Sequence, residues 1–232
     1  ERFVGRSGDV LDDALRDAHR GAIYHQQGQT YEVSDLDLDR DVAELQSSWA
    51  DYYTQVLSEK SVVVNDDIDA KSLPYAPGDA ATDDDAEATV HFAEVTVTEE
   101  ITGFQRKDRR TGEVINEESL DLPETTLRTK ALYFTVPPAV ERELRDTHSD
   151  WEFNGGIHAA EHGMISLFPF MLLCDRGDIG GLSIPHHLHT DRATVFIYDG
   201  YPGGVGLTEV GFDIVEELMT RTARLIDDCD CA

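Results

Sequence analysis

The chain has 232 residues, 40% of them apolar, enough for one large domain or two small ones with a real core. Its 47 Asp and Glu against 19 Lys and Arg give a formal net charge of −28, which excludes DNA binding through the bulk electrostatics of the surface. No apolar run approaches the roughly 18 residues that span a bilayer, and the opening residues 1–6 hold neither a start methionine nor the apolar core of a signal peptide. A soluble, cytoplasmic chain without a membrane partner, part of something longer, is expected.

The kind of acidity is informative. Only four basic residues are Lys (Lys60, Lys71, Lys107 and Lys130), and Asp outnumbers Glu by 28 to 19, a composition that resembles haloarchaeal proteins. In molar salt the Debye length is about 3 Å, so an acidic surface repels itself little while its carboxylates hold water. The charge is read as adaptation to salt rather than as a patch for a basic partner.

Residues 10–19 read as a short helix with Leu11, Ala14, Leu15 and Ala18 on one face. Residues 22–25 and 30–33 flank Gly28 as a hairpin, and residues 51–56 are aromatic and β-prone. Residues 77–88 carry a dense acid run without apolar periodicity and read as a solvated loop. Residues 89–105 alternate as one long bent strand or two short ones, and the polar turn 106–112 returns into a partner strand at 113–116. A further strand at 129–136 ends at Pro137-Pro138.

After Pro138 the texture becomes helical, with a short helix at 140–146 that starts on proline. Residues 154–173 place Ile157, Ala160, Met164, Leu167 and Met171 at helical spacing, with Pro169 expected to bend or split the helix. Residues 182–184 and 193–198 read as strands. Residues 206–226 read as one amphipathic helix with Leu207, Val210, Gly211, Ile214, Leu218 and Leu225 on its apolar face. The expected fold class is α+β: an antiparallel β-rich N-terminal half, residues 1–136, followed by a helix-rich α+β C-terminal half, residues 137–232.

His158-Ala-Ala-Glu161-His162 matches H-x-x-E-H, in which two His at i and i+4 on one helix face hold zinc and the Glu acts as general base. A third ligand is still needed, and His186, His187 and His189 are available to supply it. A zinc-dependent hydrolase is therefore one reading, although a His pair on a half-buried helix is usually structural. Asp175 and Asp178, between Cys174 and the pair Gly180-Gly181, offer oxygens to a hard cation. A tight connection in which Asp caps backbone amides is the favoured reading, and Arg176 argues further against a cation.

Residues 196–206 form a strand, a glycine-rich loop and a helix start, the geometry in which backbone N–H groups cradle a phosphate. The segment lacks both the Lys-Ser/Thr of a P-loop and G-x-G-x-x-G, so it is no nucleotide-hydrolysing motor. A backbone contact from Gly203 and Gly204 to a nucleic-acid phosphate, with Tyr201 stacking on bases, is left open. Arg106, Lys107, Arg109 and Arg110 form the only dense basic cluster, either a DNA contact or a solvated hairpin tip. Cys229 and Cys231 supply half of a four-ligand zinc site.

These residues, taken in order, carry a resemblance: Gly21-Ala-Ile-Tyr-His25, Gln27-Gly-Gln-Thr-Tyr31, Asp51-Tyr-Tyr-Thr54, Leu120-Asp-Leu-Pro123, Ile157-His-Ala-Ala-Glu-His162, Cys174-Asp175 with Asp178-Ile-Gly-Gly181, and Ile197-Tyr-Asp-Gly-Tyr-Pro-Gly-Gly-Val-Gly206. The series resembles the C-terminal part of DEAD/DEAH-type superfamily 2 DNA helicases of the mitomycin repair factor A (MrfA) group, over nearly the whole chain. The resemblance implies a non-motor accessory domain of an ATP-dependent DNA repair helicase, not an enzyme by itself. Its implied partners are DNA, single-stranded or forked, and the ATP-binding motor domains of the same parent chain. It also implies a four-cysteine zinc site in the complete parent domain, in a pattern like C-x-C followed by G-C-P-x-C, of which this sequence holds Cys229 and Cys231. His158 and His162 become, on that view, packing or hydrogen-bonding residues of the core or an unrecognised site. An acidic protein-interaction module is the alternative of a different class.

Overall fold

The computed structural model describes residues 14–73 and 88–229, which fall into two compact units. One comprises residues 1–60 and 98–125, the other residues 61–97 and 126–232. The division therefore does not fall at residue 136, because residues 61–73, residues 88–97 and the strand before Pro137 share a sheet and core with the C-terminal elements. Part of the first expected helix and nearly all of the acid run lie outside the described residues.

In the first unit residues 14–17 are helical. Strands β1 (Ile23–Gln26) and β2 (Gln29–Asp37) form the expected hairpin, closed by Gln27 and Gly28 at φ 51° and 79°. Two positive φ values in a two-residue loop match the twist of the strands. Strand β3 (Val42–Ser47), absent from the sequence reading, pairs antiparallel with β2 through a bulge between Val33 and Asp35. Ala18, Ala22, Val33 and Ala43 form a small core there. Two long strands, β4 (Tyr52–Leu73) and β5 (Ala88–Asp108), contribute residues to both units, and the end of β5 pairs with β6 (Val114–Ser119).

In the second unit the strand order is β4-β5-β7-β9-β8. Strand β9 (Arg192–Asp199) runs antiparallel to both β7 (Thr125–Thr135) and β8 (Ile179–His187). From Ala193 to Asp199 β9 is buried throughout, so it shows an apolar run instead of alternation. Its side chains still alternate in destination. Ala193, Val195 and Ile197 join Leu132, Ile157, Phe168 and Leu218 in one core, while Phe196 and Tyr198 join Val62, Val95 and Tyr133 in another.

Helix α1 (Pro138–Thr147) starts on proline, whose missing N–H costs nothing in the first turn. Helix α2 (Asp150–Leu172) begins at a capping box between Ser149 and Glu152 and ends at Leu173, φ 53°. It continues unsplit through Pro169, which sits in its last turn. The expected helix over residues 206–226 is instead two, α3 (Leu207–Asp213) and α4 (Val215–Asp227), parted at Ile214 with φ −102° and ψ 16°. That break resets the buried face to Val215, Leu218 and Thr222, so Val210 and Leu225 are exposed, each 45% accessible.

Candidate functional site

The glycine loop is built around a carboxylate. Asp199, at the end of β9, is fully buried; its Oδ2 accepts the N–H of Val205 at 2.5 Å and of Gly206 at 2.9 Å, and its Oδ1 that of Thr208 at 2.8 Å. Gly203 N–H donates to the Arg128 carbonyl at 2.8 Å and Gly204 N–H to the Tyr201 carbonyl at 3.0 Å. Gly203, Gly204 and Gly206 take φ of 78°, 77° and 89°, a conformation that strains any side chain. The expected phosphate contact from Gly203 and Gly204 is thereby corrected: their amides are spent inside the fold, and the chain's own carboxylate fills the role of the anion. Tyr201 stays partly exposed, with its hydroxyl donating to Asp178 Oδ1 at 2.8 Å.

The Cys174–Gly181 connection is the cap that its residues suggest. Asp178 Oδ2 accepts the Asp175 N–H at 2.7 Å, and Arg176 donates to the Ile179 carbonyl at 3.1 Å.

The basic cluster divides into two kinds of residue. Arg106 pairs with Glu118 and stacks on Phe104, its guanidinium 5.0 Å from the ring centre, with only 16% of the side chain accessible. Lys107 donates to Gln55 Oε1 at 2.8 Å. Arg109 and Arg110 are exposed on the turn that Asp108 caps through the N–H groups of Arg110 and Thr111. Arg109 N–H meets the Asp51 carbonyl at 3.0 Å, which places the turn beside the segment carrying Trp49. Trp49 is completely exposed, and sequence reasoning passed it over because a lone Trp before a strand carries no pattern.

The His motif is the one group of three potential metal ligands within reach of one another among the described residues. One ligand atom each from His158, Glu161 and His162 lies within 4.8 Å of the others. All three project from one face of α2, as spacing i, i+3, i+4 requires. Glu161 is only 5% exposed, whereas both His are exposed, so the carboxylate and not the imidazoles is the interior member. Glu161 Oε2 accepts the Ser183 hydroxyl of β8 at 2.7 Å and lies 3.1 Å from His158 Nδ1. The two rings meet edge-on, centroids 4.4 Å apart.

The other histidines do not join them. His187 is buried with Nε2 3.0 Å from the Val62 carbonyl, His186 faces Asp191, and His189 lies 3.9 Å from Asp67. Asp67 also receives the Tyr133 hydroxyl at 2.8 Å and approaches His91, which stacks on the Tyr133 ring. Burial pushes the His91 ring below its ordinary value, and burial together with Asp67 pushes the Tyr133 hydroxyl well above its own.

Residues 160–232 match the MrfA Zn-binding domain. A protein of Methanocaldococcus jannaschii is 37% identical over 79 residues, 33% of this chain and 70% of that protein. This part of the chain belongs to the MrfA Zn-binding domain family. The likeness extends further: an ATP-dependent helicase of Bacillus subtilis, YprA, is 29% identical over 213 residues, 92% of this chain and 26% of that protein. A crystal structure of the DUF1998 helicase MrfA bound to DNA is 26% identical, with a TM-score of 0.62 over 95% of this chain and 27% of that one. The chain thus spans about a quarter of the length of the helicases it matches.

The zinc of an MrfA Zn-binding domain needs thiolates if its ligands are cysteines. Burial, with the nearby Asp178, Asp175 and Asp199, holds the Cys174 thiol above its ordinary value. Cys229 follows α4 with its sulfur in a disulfide, and Cys231 lies outside the described residues. The described residues therefore do not assemble a cysteine zinc set. Among the described residues no helix is long and apolar enough to cross a membrane.

Proposed function

We propose that the chain is the C-terminal accessory domain of an ATP-dependent DNA repair helicase, holding single-stranded or forked DNA beside motor domains of the same parent chain. The observation that carries this reading is the likeness to DNA-bound MrfA over 95% of the chain. Cys229 and Cys231 are, in this reading, two of four thiolates around zinc, available once the disulfide that holds the Cys229 sulfur is reduced. The acidic, Lys-poor surface suits a haloarchaeal cytoplasm, where counterion release contributes little to binding.

Contact with DNA then falls to few groups. Arg109 and Arg110 offer cations that no acidic side chain of the described residues neutralises, and Trp49 offers an open ring face. Stacking of a base on such a ring is worth about 1–3 kcal/mol and survives salt better than phosphate contacts do. Arg106 and Lys107, held by partners within the fold, serve to position the turn.

Single-strand DNA binding in molar KCl, followed by anisotropy of a labelled oligonucleotide, tests the assignment. Trp49→Ala and the double variant Arg109→Ser/Arg110→Ser are each expected to weaken binding by about tenfold, the equivalent of about 1.4 kcal/mol. Wild-type affinity in both variants would remove this turn from the interface.

A further inference from the structure

We propose that His158, Glu161 and His162 form a second metal site, separate from any cysteine zinc site, that takes one first-row divalent ion of borderline softness such as Zn²⁺ or Co²⁺. The inference is independent of the helicase reading.

Three observations lead to it. Donors 2.0–2.1 Å from a tetrahedral ion lie about 3.4 Å from one another, so side chains whose ligand atoms already fall within 4.8 Å close on a metal by small rotations of exposed rings. The donors are also unspent. Neither ring nitrogen of His162 has a hydrogen bond from the described residues, His158 uses only Nδ1, and Glu161 directs both of its contacts through Oε2, leaving Oε1 without one. The charge balance asks for a cation as well. Glu161 is a buried carboxylate whose one ion-pair partner among the described residues is the His158 ring, with no Lys or Arg beside it. A buried carboxylate in that state is expensive unless a cation or further donors complete it.

The surroundings hold Glu161 ready for this role. Ser183 from β8 fixes Oε2 at 2.7 Å, acting as the outer partner that orients a ligating carboxylate. Gly181 leaves the carboxylate its space, since a Cβ there would stand 2.9 Å from both Glu161 Cγ and Oε1. With two imidazoles and one carboxylate as ligands, the fourth position faces solvent, because both His are exposed. Glu161 itself is no general base in this arrangement: its accessible surface is only 5% and its Oε2 is already engaged. The geometry therefore favours a site that staples one turn of α2, with Ser183 of β8 as its outer partner, over the peptidase assignment of Glu in H-x-x-E-H.

Cobalt titration of the full chain decides it, with Cys229→Ser/Cys231→Ser as background so that thiolate sites are silent. The expected result is one Co²⁺ per chain, visible d–d absorption without thiolate charge-transfer bands, and a rise in thermal midpoint on binding. His162→Ala, a change at an exposed position that leaves the fold intact by circular dichroism, is expected to weaken binding by more than about 100-fold. Ser183→Ala, removing only the outer partner, is expected to weaken it by about 10–100-fold. Absence of stoichiometric cobalt, or an affinity unchanged in both His162→Ala and Glu161→Gln, overturns the proposal and leaves the cluster a hydrogen-bonded surface feature.

Discussion

Asp199 and Thr208 are joined by a hydrogen bond of 2.8 Å from the Thr208 N–H to Asp199 Oδ1, both residues being fully buried. The bond ties the end of β9 to the first turn of α3, where free N–H groups and the helix dipole favour negative charge. Together with the Val205 and Gly206 N–H groups, it makes one side chain the organiser of the whole glycine loop. Asp199→Ala strands three donors, each worth about 1–3 kcal/mol when left unsatisfied. A loss of at least about 3 kcal/mol is expected from denaturant unfolding. A loss below about 1 kcal/mol would show that water replaces the carboxylate and that the loop stands without it.

The break at Ile214 makes a prediction that a continuous helix would not. Leu218 is 1% exposed within the main core, so Leu218→Ala is expected to cost about 2–5 kcal/mol. Leu225, on the same face of the uninterrupted helix that periodicity suggests, is 45% exposed, and Leu225→Ala is expected to stay within about 1 kcal/mol. Similar losses at both positions, measured by the same unfolding assay, would restore the single helix.

How far these features are legible in the sequence depends on the range of the interaction that makes them. The β1–β2 hairpin was readable because its turn chemistry, Gln27-Gly28, is local. The α2 face was readable in part, because Ile157 and Met164 recur at helical spacing within one segment, while Phe168 rather than Leu167 is its next buried residue. Strand β4 was seen only at its start, since from Ser58 to Ala70 its side chains are nearly all solvent-facing and show no apolar alternation. The His158, Glu161, His162 triplet was likewise visible as a pattern. The burial of Glu161 was not, because it is set by Gly181 and Ser183 on β8, and Asp199's claim on the loop amides depends on a backbone path that glycine counts alone do not specify.

Burial depresses the His91 pKa, with Asp67 opposing and His189 reinforcing the shift, while Tyr133 stacks beneath the ring. A His depressed in the folded state binds fewer protons than its unfolded counterpart between its folded value and about 6.5. Stability is therefore full above about 6.5 and drains as pH falls through that window. His19, also depressed by burial, acts with the same sign. Unfolding free energy is expected to fall between about pH 7.5 and about pH 5.5, and to fall less in His91→Gln, which cannot titrate. Equal slopes in the two proteins would assign the acid sensitivity elsewhere.

The two halves of the basic cluster separate in their response to the same change. Arg106→Ser breaks the pair with Glu118 and removes the guanidinium from the Phe104 ring, so a stability loss of about 1–3 kcal/mol is expected. Arg110→Ser touches an exposed side chain and is expected to stay within about 0.5 kcal/mol. Thermal melts of the two variants side by side check the division. A destabilised Arg110→Ser would mean that the turn, too, is built on its cations and that its weakened DNA binding has a structural cause.

Glycines on and opposite α2 provide the sharpest contrast in what added bulk does. At Gly181 a Cβ would lie 2.5 Å from Ile165 Cδ1 and 2.9 Å from Glu161 Cγ, so either the core side chain or the carboxylate must move. Gly181→Ala is expected to cost about 1–3 kcal/mol as overpacking and to displace Glu161 from Ser183. At Gly155, on an exposed part of the helix, a Cβ meets nothing within 4 Å, and Gly155→Ala is expected to add about 0.5–1 kcal/mol by restricting the unfolded chain. Unfolding midpoints of opposite sign for the two variants would confirm that β8 approaches α2 as closely as the site requires. A neutral Gly181→Ala would mean that Ile165 yields and that the space beside Glu161 is looser than a preorganised ligand set needs.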